Sequence, residues 1–220
     1  MQPELFERTG FTITHEIGRT GPKLWVRRLV VWRTPNEIIR DVSLRRGLNI
    51  IWSPDSLEEN SPIGPGGGKT TFCRLLRFCL GEEVYAPLEL RLRIARVYPQ
   101  GHVGAEIMLD GKLWIVVRSL GRKRDFVQEG GQLGDAFLDG VKPTGIEPLI
   151  EAMTESILGV AKDLMPASVG PDGAWLALLP WMTRDQECRF GRALEWRSPD
   201  SDSHCKRPRI APLYGWTGSE

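Results

Sequence analysis

The chain has 220 residues, 41% of them hydrophobic, with 29 Lys and Arg against 28 Asp and Glu for a net charge of +1. That length and apolar content can bury a core and form one domain with an irregular appendage, while the near-cancellation of charge excludes a global basic footprint for nucleic acid and leaves only local patches. Cys73, Cys79, Cys188 and Cys205 form no CxxC pair, and no basic N-terminal region or membrane-length apolar run occurs. A zinc site and a disulfide framework are therefore not indicated, and the expectation is a cytoplasmic, unexported chain with no membrane partner.

In chain order, residues 1–23 read as an N-terminal extension. Residues 24–33 (LWVRRLVVWR) and 37–45 (EIIRDVSLR) read as two strands joined at Thr34-Pro35-Asn36, a hairpin. After Gly47, the run Leu48-Asn49-Ile50-Ile51-Trp52 is short, apolar and β-branched, which suits a buried strand. Residues 53–63 (SPDSLEENSPI) read as an extended loop and an insertion. From Thr70 to Leu80, Phe72, Leu75, Leu76, Cys79 and Leu80 recur at helical spacing, with Gly81 as the stop and Arg74 and Arg77 on less buried faces.

Leu88 to Val97 (LELRLRIARV) alternates and predicts another strand. Residues 105–109 and 113–117 flank Asp110-Gly111, a strong hairpin signal, so an antiparallel subdomain is expected. Residues 119–145, rich in Gly and charge, suggest a mobile connection, and 146–160 an amphipathic helix. Trp175 to Trp181 is a further apolar run. Residues 198–220 lack periodicity and predict an irregular or disordered tail.

The segment Gly64-Pro65-Gly66-Gly67-Gly68-Lys69-Thr70-Thr71 stands between the expected strand and helix. Glycines there let backbone N–H groups turn inward on a phosphate, and the helix N-terminus adds partial positive charge. Lys69 would reach the terminal phosphates of ATP. Thr70 would offer its hydroxyl to Mg2+, with Gly64, Gly66, Gly67, Gly68 and Thr71 completing the cradle. The full pattern asks for glycine six residues before the lysine; that residue is Ile63, with Gly64 one place late. The alternative is a flexible glycine turn that joins two elements.

The order hairpin, Gly-Leu-Asn-Ile-Ile (47–51), glycine loop, Lys-Thr-Thr, amphipathic helix and Leu80-Gly81-Glu82 resembles the N-terminal half of SMC-like ATPase heads, among which RecF and RecN belong. The resemblance spans roughly residues 24–196, most specifically 47–82, within an expected lobe of 24–197. It implies an α/β fold, a P-loop NTPase lobe with a mixed sheet and an antiparallel β-subdomain, incomplete as an ABC-type head. It also implies ATP and Mg2+ as cofactors, and hydrolysis only with a complementary lobe or in a homodimer, in DNA maintenance or anti-phage defence.

By the same resemblance Gln186, in Trp181-Met182-Thr183-Arg184-Asp185-Gln186, would contact the metal or the attacking water and joins Lys69 as a catalytic candidate, the alternative being an ordinary exposed polar residue. The family's signature motif, coiled-coil heptads and Asp-Glu strand are missing, so the chain looks like an isolated N-terminal lobe. Glu106 to Asp110 superficially suggests the Asp-Glu strand, but Gly111 makes a hairpin turn the better explanation. Arg118, Arg122, Lys123 and Arg124 could touch DNA phosphates, the alternative being a solvated loop. His15, His102 and His204 read as structural or incidental. A self-contained P-loop kinase or GTPase, or a non-catalytic fragment that binds a partner chain, are the competing functions.

Overall fold

A computed structural model describes residues 21–51, 68–121, 124–159, 175, 176, 178 and 179. Five strands form one sheet: β1 (Leu24–Thr34), β2 (Glu37–Ser43), β3 (His102–Leu109), β4 (Lys112–Ser119) and β5 (Asp125–Glu129), in the order β2-β1-β3-β4-β5. Every pairing is antiparallel. The helices are α1 (Lys69–Cys79), α2 (Leu88–Val97) and α3 (Glu147–Met153), the last running on into a π-helical turn at Thr154–Leu158.

Alternation along the strands builds a core on each face of the sheet. One face carries Leu29, Val103, Ala105, Ile107 and Val116, against which α1 lays Leu75, Phe78 and Cys79 and α3 lays Leu149, Ile150 and Met153. The other carries Val30, Trp32, Ile115 and Val117, covered by the 3-10 turn Leu133–Phe137 through Leu133 and Ala136. Gly104 lies beneath Trp32, where a Cβ would meet the indole at 2.8 Å. Both expected hairpins are present, and Asp110 (φ 49°) and Gly111 (φ 83°) supply the two left-handed residues that the tight β3–β4 turn needs. Helix α1 ends as expected, with Gly81 at φ 109°.

Four expectations are corrected. The run at 88–97 is a helix: its Leu, Glu, Arg and Ala are strong helix formers, Glu89 opens it and Arg96 closes it in accord with the helix dipole. Leu48 to Ile51 is irregular and exposed, because Asn49 folds it back on itself: its Oδ1 accepts from the Arg45 N–H (3.0 Å) and its Nδ2 donates to the Arg45 and Gly47 carbonyls. The 119–145 connection contains β5 and the 3-10 turn, with Phe126 and Val127 buried. Arg74 and Arg77 are buried as well. Among the described residues the architecture is thus mixed α/β on an antiparallel sheet, without the parallel strand of a mixed sheet.

Candidate functional site: the N-terminus of helix α1

Gly68 is the N-cap of α1 and adopts the left-handed conformation (φ 73°, ψ 4°), which an L side chain rarely takes. Among the described residues nothing lies within 4 Å of the position a Cβ would occupy there. Lys69, Thr70 and Thr71 form the first turn. Among the described residues no side chain caps the helix and no acidic residue stands in that turn, so none of them offsets the partial positive charge of its leading N–H groups. Lys69 and Thr70 are partly exposed and Thr71 is exposed. Gly64, Gly66, Gly67 and Gln186 lie outside the described residues, as do Trp52, Ile63, Arg122 and Lys123, so Gly68, Lys69, Thr70 and Thr71 are the part of the expected site whose geometry is in hand.

The far end of the same helix is fixed by buried charge. Arg77 Nε donates to Glu82 Oε2 at 2.8 Å, with both side chains largely removed from solvent. Arg118 reaches from β4 to the end of α1, where its guanidinium donates to the carbonyls of Phe78 and Glu82, lies 3.6 Å from the Phe78 ring centroid and pairs with Asp125. A cation at a helix C-terminus satisfies carbonyls that have no partner within the helix. Arg118 therefore holds α1 against the sheet and is buried, which corrects its assignment to a DNA-contacting cluster. Arg124 is exposed, donating to the Val141 carbonyl at 3.4 Å.

Burial pushes the Cys79 thiol up to about 12, so it packs as a small apolar group and is not a nucleophile. Glu106 sits in β3 with Arg27 Nε at 2.7 Å, and Asp110 is in the turn, so that pair is accounted for by strand and hairpin. Among the described residues no group of three His, Cys, Asp or Glu could hold a metal ion, and no helix is long and apolar enough to cross a membrane.

Sequence reasoning missed Arg118 as the partner of α1, because its Asp125 and carbonyl partners come from three separate elements. In comparisons with known proteins, no family model, no curated protein and no solved structure matches this chain.

Proposed function

We propose that the chain binds ATP with Mg2+ at the N-terminus of α1, as one lobe of an SMC-like ATPase whose hydrolytic site needs a complementary lobe or second protomer. One observation carries this reading: a left-handed glycine opens the helix with no described residue crowding it, and Lys69 and Thr70 follow at once on the first turn. In that role Gly68 lets the backbone approach the phosphates, and Lys69 neutralises their charge. The Thr70 hydroxyl would hold the metal ion, which would supply positive charge against the phosphates.

Mg2+-dependent binding of a fluorescent ATP analogue to the full chain tests the proposal. Lys69→Ala abolishes binding, and Thr70→Ala removes its Mg2+ dependence. Unchanged affinity in Lys69→Ala overturns the reading. Turnover by the chain alone is expected to be weak or absent, and robust hydrolysis or phosphotransfer would favour a self-contained kinase or GTPase instead.

A second reading, a non-catalytic chain that binds a partner, draws on a separate observation. Leu48, Ile50 and Ile51, the residues expected to form a buried strand ahead of the glycine loop, are exposed. Aliphatic side chains that lie in water in one chain are covered at small cost by another. Nucleotide binding separates the two readings.

A further inference from the structure

The two edges of the sheet are finished differently. Along β5, the Val127 N–H donates to Thr144 Oγ1 at 2.7 Å, and the Thr144 N–H donates to the Asp125 carbonyl at 3.0 Å, so the segment after the 3-10 turn closes that edge. Among the described residues β2, at the opposite end, has β1 as its single neighbouring strand, and six of its seven residues are exposed. A terminal strand turns alternate N–H and C=O groups outward, and natural sheets usually blunt such an edge with Lys, Pro or a covering segment. Strand β2 (EIIRDVS) contains neither Lys nor Pro; it carries Glu37, Arg40 and Asp41, pairs irregularly with β1 around Trp32, and exposes Ile38 (53%) and Ile39 (37%).

The edge continues into a shelf. Beyond β2, residues 42–45 and 48–51 line a groove of about 510 Å³. Its apolar wall is Leu48, Ile50 and Ile51, with Leu48 73% and Ile50 78% exposed. The Asn49 hydrogen bonds to Arg45 and Gly47 give this shelf a defined shape.

Charge is segregated along the sequence. Residues 21–51 hold seven Lys and Arg against Glu37 and Asp41, a net +5; residues 124–159 hold seven Asp and Glu against Arg124 and Lys142, a net −5. The segment that forms β1 and β2 is thus basic, although the whole chain carries only +1. Arg40, Arg45 and Arg46 are exposed beside Ile38, Ile39, Leu48 and Ile50.

We propose that the β2 edge and the Leu48–Ile51 shelf dock an extended segment of a partner protein whose side chains alternate between carboxylate and aliphatic. Such a segment pairs with the outward backbone groups of β2, gives carboxylates to Arg40, Arg45 and Arg46, and covers the exposed aliphatics. A polynucleotide would answer only the arginines, and an uncharged strand only the edge. The inference is independent of nucleotide binding at α1.

The probe is a fluorescein-labelled, end-capped peptide of alternating Glu and Val, about ten residues long to match a strand. Controls are a Lys-Val peptide, a Glu-Val peptide N-methylated at alternate amides, and a labelled oligothymidylate, all measured by anisotropy with the full chain. The Glu-Val peptide binds most tightly, and N-methylation or the double variant Arg40→Glu, Arg45→Glu weakens it by about tenfold or more, a change in Kd that anisotropy resolves readily. Ile50→Ser, an exposed and mild change, weakens it less.

Tighter binding of the oligothymidylate, equal binding of the Lys-Val peptide, insensitivity to N-methylation, or no binding at all overturns the proposal. Lys69→Ala leaves peptide affinity unchanged, so failure here and failure of ATP binding are read separately.

Discussion

The indole Nε1–H of Trp175 donates to the carbonyl of Leu80 at 2.7 Å, across 95 positions of sequence, with the tryptophan fully buried. Leu80 is the C-cap of α1, so one end of the helix that carries Lys69 is fixed by a residue from the far C-terminal side of the domain. Trp175→Ala removes a large buried ring and is expected to lower unfolding free energy by about 3–5 kcal/mol in urea denaturation. Trp175→Phe keeps most of the ring but leaves Leu80 without this donor, for about 1–3 kcal/mol. Wild-type stability in the phenylalanine variant would show that the indole acts by its bulk alone.

A second prediction concerns Arg118 and Asp125, which face each other with side chains less than a tenth exposed. Removing one partner leaves the other as a buried, uncompensated charge, so Arg118→Ala is expected to cost about 3–5 kcal/mol. Arg118→Ala, Asp125→Ala together should cost less than the sum of the two single changes, because neither charge is then stranded. A loss of DNA affinity in Arg118→Ala with no loss of stability would return this arginine to a phosphate-binding role.

Local chemistry made some of this legible in the sequence. The β3–β4 turn follows from Asp110-Gly111 and the end of α1 from Gly81, each a single-residue signal that needs no tertiary context. Helix α2 was obscured because Leu88, Leu90, Leu92 and Ile94 alternate in the sequence while Leu88, Leu92 and Ala95 also lie one helical turn apart. Strand β5 has just Phe126 and Val127 as apolar residues in DFVQE, and its extended form comes from pairing with β4, which no local pattern encodes. At the candidate site, glycine ahead of Lys69 and Thr70 was legible, whereas the Arg118 contacts at the other end of the helix depend on the folded sheet.

The pH dependence of stability should carry the signature of His102. It is partly buried, its Nδ1–H donates to the Gln100 carbonyl at 2.8 Å, and its ring meets Phe137 edge to face at 5.1 Å. Burial holds its pKa below the ordinary 6.5, helped by the nearby charge of Arg124 and opposed by the Gln100 bond. The unfolded chain therefore takes up this proton first. The stabilisation is complete above 6.5 and is lost as pH falls from there through the lower folded value. His102→Asn should flatten the fall in denaturation midpoint on the acid side of 6.5, and an identical slope in the variant would place the titrating group elsewhere.

Gly68 and Gly81, at the two ends of α1, share a positive φ yet should respond differently to alanine. At Gly81 (φ 109°) a Cβ would meet Ile150 at 3.2 Å and the Trp175 indole nitrogen at 3.5 Å, so backbone strain is joined by a crowded core. At Gly68 (φ 73°) the strain stands alone among the described residues, none of which lies within 4 Å. Left-handed strain costs about 1–2 kcal/mol, and overpacking adds about 1–3 kcal/mol. Gly81→Ala is therefore expected to be the more destabilising in urea denaturation, while Gly68→Ala is mild for stability and severe for ATP affinity, since its methyl group occupies the space through which a phosphate would approach α1. Equal losses of stability would mean that Ile150 gives way freely. Undiminished ATP affinity in Gly68→Ala would remove the open space above Gly68 as the argument for a phosphate site.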